Sequence, residues 1–151
     1  IGLVHALYCD LRFAADSAVF TTAFARRGLI AEHGISWMLP HIVGHANALD
    51  LLLSARRVSS EEALRIGLVN RLYPADQLRE QTYAYARDLA DFVSPSAMAV
   101  IKRQVYDVPF QTLAEATIDA NREMIVALQG DDFREGVASF VEKRPPRFKG
   151  R

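Results

Sequence analysis

The sequence predicts an α/β (α+β) chain, poor in strand over its first third and helical after it. Three observations carry this reading. Two short runs rich in β-branched and aromatic residues, LRFAAD and SAVFTTA, stand near the start. Apolar residues recur at helical spacing from residue 75 onward,. No linker, repeat or low-complexity stretch divides the 151 residues, a length that buries a core without staples,.

Residues 2–9 are apolar around most of their circumference and read as either a buried helix or a buried strand, because periodicity does not separate the two,. LRFAAD and SAVFTTA follow as strands joined by a turn at Asp16 and Ser17,. Two strands alone do not make a stable sheet, so more strands are expected upstream of Ile1 or from another chain. The opening on Ile1, directly in an apolar run, is what a start in mid-fold would look like. GISWMLPHIVG predicts one short helix kinked at Pro40 and closed by Gly44,. HANALDLLLS continues as helix. Ser59 with Glu62 three positions on is a capping box for the next helix, and Gly67 is its stop,. LVNRLYP reads as an extended segment ending at Pro74,.

The rest is helical. Leu78, Thr82, Tyr85, Leu89 and Phe92 form one stripe over 75–92,. Ser94 followed by Pro95 opens the next helix, with proline at its first position,. A third, near 111–129, places Leu113, Ala116, Ala120, Met124 and Ala127 or Leu128 on one face and ends at Gly130. The last starts at Asp131 or Asp132, presents Phe133, Val137, Phe140 and Val141, and is broken by Pro145 and Pro146,. The tail KRPPRFKGR is basic and expected to be exposed.

Eighteen Lys and Arg balance eighteen Asp and Glu, so no global field recruits nucleic acid or an anionic membrane,. The longest uncharged apolar run, IGLVHALYC, reaches about half of a membrane span and lacks the flanks of a signal peptide,. The single Cys9 cannot form an internal disulfide, which suits a reducing cytoplasm or organelle matrix,. Cys9 is expected to be a buried packing residue.

Among groups that could carry chemistry, HIVGH spaces His41 and His45 like two zinc ligands on a helix face, provided the helix runs through Gly44,. Ile42 stands where the catalytic glutamate of that motif belongs, and no third ligand is evident, so no metal is expected,. GISWM, with Ser36 near His33, is not the elbow that exposes a serine nucleophile,. There is no glycine-rich phosphate cradle,. Glu32 is the best acid/base candidate. Between LIA and His33–Gly34 it could lie partly desolvated at a helix mouth, where a carboxyl becomes a useful base. It could equally cap the helix that follows, since helix N-termini favour acids. Arg26–Arg27, Arg56–Arg57 and Lys102–Arg103 read as solvated surface. Lys143, Arg144, Arg147 and Lys149 in the tail are the denser set for a phosphate,.

Together, ALYCDLRFAADSAVF, LPHIVGHANALDLLLSARRVSSEEALRIGLVNRLYPADQL and FREGVASFVEKRPPRF resemble the enoyl-CoA hydratase/isomerase (crotonase) family, in the right order over nearly the whole chain. The match is to the later part of that domain; the family's earlier ββα units have no counterpart. The resemblance implies the later part of a crotonase-like ββα spiral over 1–74, with an oxyanion-side helix, and a helical C-terminal region over 75–151, in one continuous domain. It implies assembly as trimers or hexamers, acyl-CoA as substrate, and no cofactor beyond that thioester. It also implies an oxyanion hole of two backbone N–H groups, one near Ile1 and Gly2 and the other on a segment without counterpart here. Such donors meet the charge that develops on a thioester oxygen.

The family's two hydratase glutamates fall on Val4 and Phe24, and neither can move a proton. A third position, which carries an acid in isomerase branches, is Glu32. One base suffices to shift a double bond, so the resemblance favours isomerase-type chemistry with Glu32 as acid/base and His33 orienting it or lining the pocket. Phe24 and Trp37 would shape the apolar side of the acyl pocket. Phe140 and Lys143 match positions that contact the CoA of a neighbouring subunit. The alternative is a catalytically silent acyl-CoA-binding or assembly protein of the same fold.

Overall fold

A computed structural model describes residues 1–150; Arg151, the last residue of the basic tail, lies outside them. The chain forms two compact units, Ile1–Thr82 and the residues from Tyr83 onward.

The first unit opens with helix α1 (Gly2–Leu7), so the ambiguous apolar run is helix. It buries only Val4 and Leu7 fully, and its end is open: Cys9, expected in the core, is exposed, its thiol 3.7 Å from the His5 carbonyl. Cys9 sits past the last turn of α1, where the chain leaves the core.

Strands β1 (Phe13–Ala15) and β2 (Val19–Phe20) fall in the two expected runs and are joined by a turn in which the Ala18 amide donates to the Ala15 carbonyl. They do not pair with each other. β1 lies parallel to β4 (Arg71–Tyr73), with Phe13 opposite Arg71, and β2 lies antiparallel to β3 (Val58–Ser59), with Phe20 opposite Val58. The Asp16 amide prolongs the first ladder by donating to Tyr73, and the Asp16 carbonyl accepts the Ser60 hydroxyl, so the turn sends β2 away from β1. A parallel pair needs a long crossover. Here it is supplied by α2 (Ile35–Val43), α3 (His45–Ser54) and α4 (Ser60–Arg65).

Each of these helices has a local cause. Gly34 (φ 75°) precedes α2, and Gly44 (φ 77°) closes it and opens α3, a backbone region that a side chain disfavours,. The Ser59 hydroxyl accepts from the Glu62 amide at the start of α4,. The expected reciprocal half of that box is diverted, because Arg56 takes both oxygens of the Glu62 carboxylate at 2.8 and 2.6 Å. Val4, Leu7, Ile35, Leu39, Val43, Leu51, Val58, Ala63 and Leu68 form the core of this unit.

Helix α5 (Leu78–Phe92) begins in the first unit and runs into the second; of its expected stripe Leu78, Thr82, Tyr85 and Leu89 are half-buried and Phe92 is exposed. Ser94 caps α6 (Pro95–Asp107) by accepting the Ala97 amide. α7 (Leu113–Gln129) starts at a complete capping box: the Thr112 hydroxyl accepts the Glu115 amide, and the Glu115 carboxylate accepts the Thr112 amide. Its expected apolar face is not a packed one. Leu113, Met124 and Leu128 are exposed, as are Phe133, Val137, Phe140 and Val141 on α8 (Asp131–Glu142).

Lys143 in the left-handed region (φ 53°) ends α8 before the prolines are reached. The tail after it is largely exposed, as expected, and it is also tied down. Arg144 grips Glu135 and Glu142, the Arg147 amide donates to Glu135, and the Lys149 and Gly150 amides donate to Asp132. The tail's backbone donors, and not its charges alone, set its place. No helix among the described residues is long and apolar enough to cross a membrane.

Candidate active site

The first unit brings Glu32 and His33 into one tight turn. The Ile35 amide donates to the Glu32 carbonyl at 3.2 Å, and the two residues between, His33 (φ 55°) and Gly34 (φ 75°), both have positive φ. Two such central residues mark a type I′ turn, in which glycine is at ease at the second place and histidine is unusual at the first. The imidazole Nε2 of His33 stands 3.8 Å from a carboxylate oxygen of Glu32, with the side chains 58% and 41% exposed respectively. The cap position of α2 belongs to Gly34, so the reading of Glu32 as the helix cap is not what the turn adopts. The carboxylate is instead partly exposed beside the imidazole.

Around this turn lie the other residues the sequence singles out. Trp37, one turn into α2, is half exposed and stacks on His41 with ring centroids 4.2 Å apart. The His41 Nδ1 donates to the Trp37 carbonyl at 2.6 Å. Phe24 packs against the core from the residue before a short 3-10 turn (Ala25–Arg27), and Ala23 before it also has positive φ (58°). Strained backbone of this kind gathers at functional sites. Val4 points into the core at 4% exposure. Val4 and Phe24 are therefore apolar in their surroundings as well as in identity.

α1 begins at Gly2 with Ile1 as its cap, and Ile1 is exposed. The first amides of a helix have no partner within it, which leaves donors at the Ile1–Gly2 end. At the other end of α1, the Tyr8 hydroxyl donates to the His33 carbonyl at 2.9 Å. Tyr8 is the residue that sequence reasoning missed; a bond across 25 positions has no local signal.

His41 and His45 do not share a helix face, because Gly44 ends one helix and starts another between them. Of the basic pairs, Arg56 is bound to Asp50 and Glu62, Arg26 donates to the Ser54 carbonyl, and Arg103 pairs with Glu123 at 2.6 Å. Arg56 holds the Glu62 carboxyl below its ordinary value through hydrogen bonds that outweigh the effect of burial,.

In the second unit, Phe140 and Lys143 lie at the end of α8, Phe140 85% exposed. Phe140 borders a cavity of about 930 Å³ lined by apolar side chains that include Ile101, Met124, Phe133 and Phe148. Just behind, Asp132 is a buried carboxylate. Burial opposes its ionisation, but the Ser94 and Ser96 hydroxyls and the Lys149 and Gly150 amides outweigh it and bring it down to about 2. Glu135, held by Arg144 and the Arg147 amide, also lies at about 2.

The profile of the Enoyl-CoA hydratase/isomerase family matches residues 1–151. A protein named probable enoyl-CoA hydratase in Mycobacterium tuberculosis is 39% identical over 150 residues, which cover 97% of this chain and 52% of that protein. The 1,2-epoxyphenylacetyl-CoA isomerase of Escherichia coli is 34% identical over 152 residues, covering 99% of this chain and 57% of the isomerase. Among solved structures, a probable enoyl-CoA hydratase/isomerase from Mycobacterium abscessus superposes with a TM-score of 0.94 at 30% identity, over 99% of this chain and 61% of the other. The chain thus spans about half the length of the curated relatives it matches. A profile match along the whole chain, joined to a shared backbone, leads to one conclusion: this chain belongs to the enoyl-CoA hydratase/isomerase family, with the fold of the later part of the crotonase domain.

Proposed function

We propose that the protein acts on acyl-CoA thioesters and shifts a carbon–carbon double bond, with Glu32 as the single acid/base. What supports this reading is the turn that sets Glu32 beside His33, together with the apolar Val4 and Phe24 at the two places where the resemblance puts the hydratase glutamates. Adding water across a double bond by the paired-glutamate route needs two carboxylates. Moving the double bond needs one that takes a proton beside the thioester or its vinylogous position and returns it elsewhere on the same allylic unit.

In this mechanism the Glu32 carboxylate removes the proton, and the electron pair passes into the thioester carbonyl as a dienolate. Amides near Ile1 and Gly2 contribute one donor to that oxygen. His33 orients the carboxylate, and the protonated Glu32 then delivers the proton to the far carbon. Phe24 and Trp37 form the apolar side of the acyl site. Phe140 and Lys143 bind the CoA of a neighbouring subunit, the lysine meeting phosphate charge. Trimeric or hexameric assembly accords with the exposed Ile118, Ile125 and Val126 on α7, because exposed apolar clusters mark contact surfaces,. A free, exposed Cys9 suits a reducing cytoplasm or matrix,.

Glu32→Gln tests the reading. Turnover of a β,γ-enoyl-CoA is expected to fall about 10³-fold with the thioester's Kd unchanged. Unchanged turnover would remove Glu32 from the mechanism. Apolar Val4 and Phe24 at those two places also favour a second reading, a silent acyl-CoA-binding protein. Thioester binding that Lys143→Ala weakens, without turnover in the unmodified protein, would establish that one.

A further inference from the structure

We infer that Tyr8 is a positioning residue for Glu32, fixing through one hydrogen bond the left-handed turn from which the carboxylate projects. The inference rests on the proposed role of Glu32 and deepens it. Three features of the turn and its surroundings point the same way.

First, the turn is strained where it matters. His33, immediately after Glu32, holds φ 55°, a region that costs a side-chain-bearing residue energy and persists only where the surroundings impose it,. Second, the imposing contact is identifiable: the Tyr8 hydroxyl donates to the His33 carbonyl at 2.9 Å, clamping the peptide between the two left-handed residues. Without that donor the peptide could rotate, which changes ψ of His33 and φ of Gly34 and so loosens the turn that sets Glu32 against the start of α2,. Third, the fit is close. Gly34 is favoured by its φ of 75°, and a Cβ there would come within 2.7 Å of the Tyr8 hydroxyl oxygen and displace the phenol,.

Tyr8 also has a reason to be the residue that does this. It is the C-cap of α1, and Val4 and Leu7 anchor that helix in the same core as Ile35 and Leu39 of α2. The start of α1 carries the amides near Ile1 and Gly2, so the one short helix connects the oxyanion donor to the turn that presents the base. A base and an oxyanion donor must hold their mutual distance through the reaction, and misplacement by about 1 Å can cost about 10²-fold in rate. Tyr8 is itself 58% exposed, so its hydroxyl is not needed to satisfy a buried polar atom.

The test is a double-mutant cycle in the purified protein, with Tyr8→Phe and Glu32→Gln alone and combined, on a β,γ-enoyl-CoA. Tyr8→Phe keeps the ring and removes the donor. It is expected to lower kcat about tenfold, leave KM and Tm nearly unchanged, and add no further loss in the Glu32→Gln background, because its effect passes through the carboxylate. Gly34→Ala, which displaces the phenol, is expected to lower kcat at least as far. If Tyr8→Phe lowers activity equally in both backgrounds, or shifts KM and Tm instead of kcat, the contact is only structural and the inference is overturned. Turnover that Glu32→Gln abolishes and Tyr8→Phe leaves intact overturns the inference alone. Absence of turnover in the unmodified protein, or turnover indifferent to Glu32, overturns the functional reading and this inference with it.

Discussion

The two units of the molecule are held together by different physics. Every fully buried hydrophobic residue among the described ones belongs to Ile1–Thr82, with Ile35, Leu39 and Ala63 at 0% exposure. From Tyr83 onward the fully buried residues are Asp132 and Ser139, both polar, while long apolar side chains such as Ile125, Val126 and Val141 face outward. The first unit is fixed by apolar burial, which has no direction and little pH dependence. The second is fixed by carboxylates that collect specific donors, so its integrity depends on charge state. The candidate acid/base lies in the unit with the apolar core, and the CoA-contact candidates lie in the unit whose buried anchor is a carboxylate.

This contrast can be broken from either side. Leu39→Ala leaves a cavity in the apolar core and is expected to cost about 3–4 kcal/mol, read from urea unfolding followed by the fluorescence of Trp37, the one tryptophan,. A loss below about 1 kcal/mol would mean that the first unit does not depend on that core. Asp132→Ala removes the acceptor for Ser94, Ser96 and the amides of Lys149 and Gly150. It is expected to cost about 2–3 kcal/mol and to speed amide exchange at Lys149 and Gly150, with little change at Trp37.

Acid sharpens the comparison further. Asp132 and Glu135 titrate lower in the folded protein than in the unfolded chain, both at about 2. The stability they lend is therefore complete above the unfolded value of about 4 and drains as pH falls toward 2. Helicity from α5 to α8 is expected to decline over that window before the Trp37 signal moves; simultaneous loss of both signals would show that the units do not differ in this way.

Much of the fold is legible in local sequence. Ser59, Ser94–Pro95, Gly34, Gly44 and Gly130 fix helix ends through their own hydrogen bonds or dihedral angles, and those ends lie where the residues put them. Thr112–x–x–Glu115 is spelled as plainly as Ser59–x–x–Glu62, yet only the former closes both halves of its box. The Glu62 carboxylate prefers Arg56, a competition that spacing cannot reveal. Strand partners were beyond local reading too, since β1 and β4 meet across 58 positions. Within the candidate site, Glu32 and His33 adjoin in sequence and were legible as a pair. The left-handed turn that holds them and the Tyr8 hydroxyl that clamps it arise only once α1 and α2 pack together. The tail KRPPRFKGR shows the same limit: its charges announce the exposed end that it is, but not that its amides are captured by Asp132 and Glu135 from within α8.

The thioester products distinguish double-bond migration from hydration. The protein is incubated with a β,γ-enoyl-CoA in one reaction and an α,β-enoyl-CoA in another, and the thioesters are separated and identified. The account predicts interconversion of the two double-bond positions in either reaction, lost in Glu32→Gln, with no 3-hydroxyacyl-CoA formed at a comparable rate. Rapid accumulation of 3-hydroxyacyl-CoA, or double-bond migration that survives Glu32→Gln, would contradict it.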